Sequence, residues 1–190
     1  MVLAAGSSKR MGAPKQLLQI GGRPLLEMVV ARTCGSALDE VLVVLGANVE
    51  EILDRVALGR AGVVRNPDHA AGMSSSLRAG LAALGSDVDR AMVILGDQPD
   101  ISPELLDELL ALQARSGLPA AALSFDGLLH PPVVLERDLW GDLQSLEGDV
   151  GCRALIRARP ELVAALPANG SSRHPVDVDT PEDYQRLVSG

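Results

Sequence analysis

The chain has 190 residues, of which 47% are hydrophobic and only three are aromatic: Phe125, Trp140 and Tyr184. This length and composition indicate one globular domain with an aliphatic core and exclude a disordered chain. Its 17 Lys and Arg residues against 25 Asp and Glu residues give a net charge of −8. Both the acidic balance and the scarcity of stacking side chains argue against general nucleic-acid binding.

The two cysteines, Cys34 and Cys152, are too few for a disulfide framework or a zinc site, so free buried thiols are expected. No apolar run reaches the roughly 18 residues that a membrane-spanning helix needs. No signal peptide is visible, and the expected location is therefore cytoplasmic. The first strand has only Met1 to Ala5 available, so either residues are missing upstream or this strand is simply short.

Short apolar runs alternate along the chain with segments of helical periodicity. Alternation with helices of about ten residues is typical of βαβ units, so we expect an α/β fold with a mainly parallel sheet covered on both faces. No repeat or linker divides the chain, and one domain is expected over residues 1–190. Strands are predicted at 1–5, 40–46, 62–67, 91–97, 120–125, 131–136 and 174–179. Helices are predicted at 24–33, 48–56, 74–84 and 102–114, near Cys152 and after Thr180.

The loop after the first strand, "GSSKRMGAPK", has the character of a phosphate-binding turn. It contains Lys9 and Lys15, the only lysines of the chain, together with Arg10. Gly6 and Gly12 bracket the turn, whose backbone N–H groups can form an anion nest. The spacing matches neither a P-loop nor a dinucleotide-binding fingerprint. The alternative is an ordinary turn with a solvated run of charges.

Asp97 ends a predicted buried strand in the segment "GDQPD". Capping a helix is the ordinary function of an aspartate in such a place. The next helix already has its start signals, Ser102 as cap and Pro103 as first residue, so Asp97 is not needed there. A carboxylate at a strand end beside a phosphate-binding loop suits Mg²⁺, which takes one or two carboxylates plus phosphate oxygens.

A pair of carboxylates precedes the last predicted helix in "DVDTPEDY". Thr180 is predicted to cap that helix, and Asp183 completes the capping pattern. Asp177 and Asp179 are left over, and strand alternation places both on one face. Because open α/β sheets bind ligands at the carboxyl ends of their strands, we expect these charged loops to converge on one crevice. Solvated surface carboxylates are the alternative.

Two other segments are candidates for contacts with substrates. In "AAGMSSSLRAGLAAL" one serine is expected to cap the helix and others to reach a ligand. Alternatively, the serines only cap the helix and Arg78 is solvated. In "LEGDVGCRALI" the glycines and Arg153 form a loop suited to the phosphate of a second substrate. Alternatively, Asp149 simply caps the helix near Cys152.

The segments "LAAGSSKRMGAPKQLL", "GDQP" and "DVDTPEDY" together resemble the signature segments of the MobA-like nucleotidyltransferases, in particular the molybdenum cofactor cytidylyltransferases. The resemblance spans nearly the whole chain. It implies a three-layer Rossmann-like nucleotidyltransferase fold, with a nucleotide-binding half at 1–100 and an acceptor-binding half at 101–190. Guanylyl-transferring relatives typically have Ala-Gly-Gly where this chain has Ala4-Ala5-Gly6, a difference that points to CTP.

The resemblance also implies roles for individual residues. Arg10, Lys15 and Asp97 would be catalytic, and Asp97 and Asp179 would hold Mg²⁺. Relatives usually have a glycine where Leu129 precedes His130, so a structural histidine is the alternative to an acceptor contact. The expected nucleotide contacts are Leu3, Ala4, Ala5, Gly6, Ser7, Arg10, Met11, Gly12, Lys15, Ser75 and Ser76. The expected acceptor contacts are His130, Asp149, Arg153 and Asp177.

The implied reaction joins two phosphates without a covalent enzyme intermediate. A phosphate oxygen of the acceptor attacks the α-phosphorus of the nucleotide, and pyrophosphate leaves. The implied acceptor is molybdopterin carrying molybdenum, and the implied protein partner is a molybdenum hydroxylase. The alternatives are GTP or another phosphorylated acceptor on the same fold, a non-catalytic nucleotide-binding accessory protein, and a divergent NAD(P)H-dependent oxidoreductase. The lack of a dinucleotide-binding glycine pattern argues against the oxidoreductase.

Overall fold

The computed structural model describes residues 1–8, 11–168 and 177–189. Its strands are β1 (Val2–Leu3), β2 (Gln19–Ile20), β3 (Arg23–Pro24), β4 (Leu42–Leu45), β5 (Gly62–Arg65), β6 (Arg90–Leu95), β7 (Ala120–Phe125), β8 (Leu128–Glu136) and β9 (Val163–Pro167). Its α-helices are α1 (Leu25–Cys34), α2 (Val49–Arg55), α3 (Met73–Ala83), α4 (Pro103–Ser116), α5 (Trp140–Gln144), α6 (Cys152–Ala158) and α7 (Pro181–Ser189).

Seven strands form one sheet in the order β5-β4-β1-β6-β8-β7-β9. Strand β8 runs antiparallel to β6 and β7, and the other pairs are parallel. This confirms the predicted α/β fold with a mixed, mainly parallel sheet. Strand β1 has two residues and is still central, since Val2 pairs with Val43 on one side and Ile94 on the other.

Hydrophobic cores lie on both faces of the sheet, as the sequence predicted. The adjacent β4 residues Val43 and Val44 belong to opposite cores, because successive side chains of a strand point to opposite faces. Helices α1 and α4 pack on the Val43 face, and α3, α5 and α6 pack on the Val44 face. Each core contains residues from before and after position 100.

The starts of α4 and α7 agree with the sequence prediction. Ser102 Oγ accepts a hydrogen bond from the Leu105 N–H at 3.2 Å, and Pro103 is the first residue of α4. At α7 the Thr180 N–H donates to Asp183 Oδ2 at 2.9 Å, and the Asp183 N–H donates back to Thr180 Oγ1 at 3.2 Å. These bonds satisfy N–H groups that have no partner inside a helix, so Asp97 caps neither helix.

The serine cap predicted for α3 is wrong. The cap position is Gly72, at φ +100°, and no side chain caps the helix. A carbonyl from a distant loop takes the place of a serine, because the Ser74 N–H donates to Gly148 O at 3.2 Å. The Ser75 hydroxyl instead donates to the Gly72 carbonyl at 2.8 Å.

Four elements were missed, and the described part of one predicted strand is not a strand. The ribbon β2–β3 turns through Gly21 and Gly22, both at positive φ, a two-residue hairpin signal that the sequence does carry. Strand β9 and the short helix α5 were also unassigned. Of the strand predicted at 174–179, positions 174–176 lie outside the described residues. Residues 177–179 form no strand, because they lie beyond the end of β6.

The cysteines are free thiols, Cys34 half-buried and Cys152 buried, as predicted. Burial raises the pKa of the Cys152 thiol to about 12, which makes it a poor nucleophile near neutral pH. None of the helices in the described part of the chain combines the length and hydropathy that a bilayer span requires.

Candidate functional site

The loop after β1 is closed by its own polar side chains. Gln16 is buried, and its Nε2 donates to the carbonyls of Ala4 at 2.8 Å and Gly6 at 2.9 Å. The Lys15 N–H donates to Ser8 Oγ at 3.0 Å. These bonds bring Lys15 back beside the end of β1. Gln16 directly follows the lysine, but no sequence signal singled it out.

The residues expected to contact the nucleotide divide into two groups by exposure. Leu3, Ala4 and Ala5 are buried at the end of β1. Gly6, Ser7 and Gly12 are exposed, and Met11 is half-buried. Gly12 has φ +70°, a conformation that favours glycine, and has open space around it. Lys9 and Arg10 lie outside the described residues.

Lys15, Asp97 and Asp179 come together at the carboxyl end of the parallel strands. The Lys15 ammonium forms an ion pair with Asp97 Oδ2 and a second one with Asp179 Oδ1 at 3.3 Å. A backbone hydrogen bond sets this arrangement, since the Val178 N–H donates to the Asp97 carbonyl at 3.0 Å. Three segments far apart in the sequence thus place one cation and two carboxylates in contact.

Burial shifts the pKa values of this cluster. Burial raises the pKa of the Asp97 carboxyl, and the nearby carboxylates of Asp177 and Asp179 act in the same direction. Lys15 offsets this effect only in part. Burial alone lowers the pKa of Lys15, but the charges and hydrogen bonds of Asp97 and Asp179 outweigh it and raise that pKa above its ordinary value. Lys15 therefore stays protonated at neutral pH.

The carboxylates of this cluster fit a divalent cation. Asp97 Oδ1 is buried and has no hydrogen-bond partner. A buried carboxylate oxygen without a partner is costly, so it is a natural ligand for a cation. Within the described residues no group of three or more metal-binding side chains exists. A magnesium ion bound here would take its remaining ligands from phosphate and water, which is the usual coordination of Mg²⁺.

Asp177 lies in a second polar cluster beside the first. Its Oδ1 accepts from Gln98 Nε2 at 2.8 Å, and its Oδ2 accepts from an Arg153 guanidinium N–H at 3.2 Å. Gln98 directly follows Asp97 in the chain and was not singled out from the sequence. The expected acceptor residues Arg153 and Asp177 are therefore in direct contact.

Ser75 and Ser76, expected near the nucleotide, have hydroxyls that bond within the protein. Both are buried, and their Oγ atoms accept from Asn66 Nδ2 at 2.8 and 3.1 Å. Asn66 follows β5, and no sequence signal pointed to it. The contact fixes the first turn of α3 against the end of β5.

The segments 72–78 and 146–151 are packed against each other. A Cβ on Gly72 would lie 2.3 Å from the Gly148 carbonyl carbon, so only glycine fits. Arg78, which the alternative interpretation of this segment left solvated, donates from its guanidinium to the Leu146 carbonyl at 2.5 Å. The loop that leads to Arg153 is thereby held against the start of α3.

The two remaining acceptor candidates lie outside these clusters. His130 is half-buried on β8, opposite Leu123 of β7. Asp149 is exposed, and the cap position of α6 is Gly151, without a side-chain hydrogen bond. The alternative in which Asp149 caps α6 is therefore wrong.

Comparisons with known proteins give consistent likenesses over the whole chain. The family model for the MobA-like NTP transferase domain matches residues 1–165. Nicotine blue oxidoreductase of Paenarthrobacter nicotinovorans is 34% identical, over 99% of this chain and 95% of the relative. The crystal structure of an Rv0371c homologue from Mycobacterium sp. strain JC1 is 33% identical over 99% of this chain and 93% of that one, with a TM-score of 0.87.

A third likeness is to Rv0371c of Mycobacterium tuberculosis H37Rv, solved in complex with manganese. It is 28% identical, covers 100% of this chain and 96% of that chain, and has a TM-score of 0.85. The family match covers most of the chain, and the relatives match over nearly their full lengths. The chain therefore belongs to the MobA-like NTP transferase family.

Proposed function

We propose that this MobA-like nucleotidyltransferase transfers CMP from CTP to a molybdopterin-type acceptor in a magnesium-dependent reaction, with release of pyrophosphate. The observation that carries the proposal is the meeting of Lys15, Asp97 and Asp179 beside a glycine-bracketed loop. A protonated lysine next to Asp97, whose Oδ1 has no hydrogen-bond partner, is suited to triphosphate and a divalent cation. Ala4-Ala5-Gly6, by its resemblance to cytidylyltransferases, supports CTP over GTP.

In the proposed reaction an oxygen of the acceptor phosphate forms a bond to the α-phosphorus of CTP. The bond from that phosphorus to the bridging oxygen of the β-phosphate breaks, and pyrophosphate leaves with the electron pair. The acceptor phosphate is already anionic at neutral pH, so the protein needs no strong general base. Positioning and charge neutralisation are then the main contributions of the protein.

The residues of the site would have separate roles in binding the phosphates and the metal ion. Exposed backbone N–H groups of the loop would bind phosphate oxygens, and Lys15 would place its positive charge on the triphosphate. Arg10, outside the described residues, would add a second charge. Asp97 and Asp179 would hold a magnesium ion, whose contribution is neutralisation of phosphate charge. The manganese complex of Rv0371c supports a divalent metal.

The acceptor half would extend from residue 101 to the end of the chain, and the nucleotide half would cover residues 1–100. We place the acceptor beside Arg153 and Asp177, which are in contact with each other; Gln98, the residue after Asp97, also bonds to Asp177. His130 and Asp149 would contact only more distant parts of the acceptor. Delivery of the product to a molybdenum hydroxylase would follow.

Thermal unfolding with CTP, GTP, ATP, UTP and NADPH, with and without Mg²⁺, tests the nucleotide part. A ligand at 100 times its Kd stabilises a folded protein by roughly 2.7 kcal/mol. We expect a Mg²⁺-dependent shift that is largest with CTP, followed by pyrophosphate release when molybdopterin is added. The absence of a shift with every triphosphate would refute the proposal.

One observation favours a second candidate function. The 34% identical relative bears the name nicotine blue oxidoreductase. An oxidoreductase on this fold would bind NAD(P)H in place of a triphosphate. A stabilising shift with NADPH alone, together with a decrease in nicotinamide absorbance on turnover, would support it over nucleotidyl transfer.

A further inference from the structure

Gln98 has no role in the transfer described above, yet it lies next to the proposed metal ligand Asp97. Its side chain is buried, with a residue exposure of 2%. Its Nε2 donates to Asp177 Oδ1 at 2.8 Å. Because an ionised carboxylate only accepts hydrogen bonds, this contact determines which end of the amide faces Asp177. The carbonyl end, Oε1, must point the other way.

Asp177 has the contacts of an orienting group. Gln98 occupies one of its oxygens, and Arg153 occupies the other at 3.2 Å. Asp97 differs, because its Oδ1 has no partner. Asp177 therefore fixes two neighbouring side chains, and Asp97 keeps an oxygen available for a cation.

Unpartnered polar atoms are concentrated at this place. Of the four buried side-chain N or O atoms without a hydrogen bond among the described residues, three belong to Asp97, Gln98 and Arg153. Leaving such an atom unpaired costs about 1–3 kcal/mol. A ligand that supplies the missing partners recovers that free energy, and binding sites are where such atoms are retained.

The chemistry of the unpartnered atoms describes the ligand. Gln98 Oε1 only accepts, so it requires an N–H or O–H donor, whereas Arg153 Nε only donates. An unprotonated phosphate would satisfy Arg153 but repel Gln98 Oε1. An amide, an aminopyrimidinone edge or a hydroxyl both donates and accepts, and it satisfies both atoms.

We propose that Gln98 determines acceptor specificity: Asp177 orients it, and its Oε1 accepts a hydrogen bond from an N–H or O–H group in the body of the acceptor, beside Arg153. This inference rests on the proposed nucleotidyl transfer. Asp177 is then a positioning residue. Arg153 contacts the body of the acceptor and not its phosphate.

The experiment measures the release of pyrophosphate from CTP in the presence of Mg²⁺, with each of three phosphate monoesters as the acceptor. Molybdopterin and glycerol 3-phosphate carry donor groups, and methyl phosphate carries none outside its phosphate. The variants are Gln98→Met, which removes both polar ends, and Asp177→Asn, which no longer dictates the orientation of the amide. Gln144→Met, on the exposed surface of α5, is the matched control.

We expect the wild type to prefer a donor-bearing acceptor over methyl phosphate. Gln98→Met should raise the KM for that acceptor by about tenfold, the scale of one lost hydrogen bond, and should leave the KM for CTP unchanged. Asp177→Asn should also raise the KM for the donor-bearing acceptor. An equal thermal shift with Mg²⁺ and CTP in all variants would show that each is folded.

The possible failures are distinguishable. If the wild type turns over but Gln98→Met and Asp177→Asn keep its acceptor KM, the role of Gln98 is wrong and the proposed function stands. If Gln98→Met does not fold, the acceptor KM of Asp177→Asn alone tests the role of Gln98. If the wild type releases no pyrophosphate with any acceptor, the proposed function fails and the inference fails with it.

Discussion

Two neighbouring clusters at the carboxyl ends of the strands are built in different ways. The Lys15 cluster, with Asp97 and Asp179, begins from a loop that local bonds from Gln16 and Ser8 close. The Asp177 cluster, with Gln98 and Arg153, is joined by side-chain hydrogen bonds between three distant segments. The first cluster leaves one carboxylate oxygen free for a cation, whereas the second uses both carboxylate oxygens internally. Under the proposed function, similar residue types would serve charge neutralisation in one place and orientation in the other.

The largest expected effects come from breaking the Lys15 cluster. Lys15→Ala and Asp97→Ala should each reduce pyrophosphate release at least about a hundredfold, because each removes an electrostatic contact of the proposed transition state. Arg157→Ala and Asp54→Ala are matched controls, since both side chains are exposed on helices. Near-normal turnover in either cluster variant, measured with a coupled pyrophosphate assay, would contradict the proposed function.

On the acceptor side, the contact between Gly72 and Gly148 offers a test of stability. Gly72→Ala should lower the free energy of unfolding by about 2–4 kcal/mol, because it combines a left-handed backbone with a Cβ clash at 2.3 Å. Denaturant unfolding measures this effect. Gly141→Ala in α5 is the control, since nothing lies within 4 Å of its added Cβ, and should be neutral or stabilising. Equal stabilities for the two variants would show that the 146–151 loop is not held against α3.

A smaller effect is expected at the helix that follows Asp97. Ser102→Ala should destabilise the protein by about 1 kcal/mol through loss of the α4 cap, while pyrophosphate release is unchanged. Ser86→Ala, in an exposed loop, is the control. An unchanged stability in thermal or denaturant unfolding would contradict the assignment of Ser102 as the cap of α4.

The pH dependence of stability should distinguish Asp97 from an ordinary surface carboxylate. Burial raises the pKa of Asp97 in the folded protein, so folding favours its protonated form. The stability that this group contributes is present below its ordinary pKa and is lost as the pH rises through the raised value. Asp97→Asn should therefore gain stability relative to the wild type over that window. Parallel curves of unfolding free energy against pH would contradict the pKa shift.

Much of the Lys15 cluster could be predicted because its signals are local. The loop glycines, Lys15 and Asp97 lie in two short segments of the chain. The Asp177 cluster and its surroundings could not be predicted in the same way. Gln98 looks like any loop glutamine until its contact with Asp177 is seen, and the α3 cap is a carbonyl 76 residues from Gly72, at Gly148.

The sequence by itself determined the α/β class, the glycine-bracketed loop after β1 and the carboxylates that follow β6 and precede α7, because periodicity, turn residues and helix caps act over a few residues. Only the tertiary structure decided which of those carboxylates meets Lys15, which is used to orient Gln98, and which serine hydroxyls bond within the protein. These outcomes depend on strand order and on packing between distant segments. Burial and hydrogen bonding between such segments cannot be inferred from neighbouring residues alone.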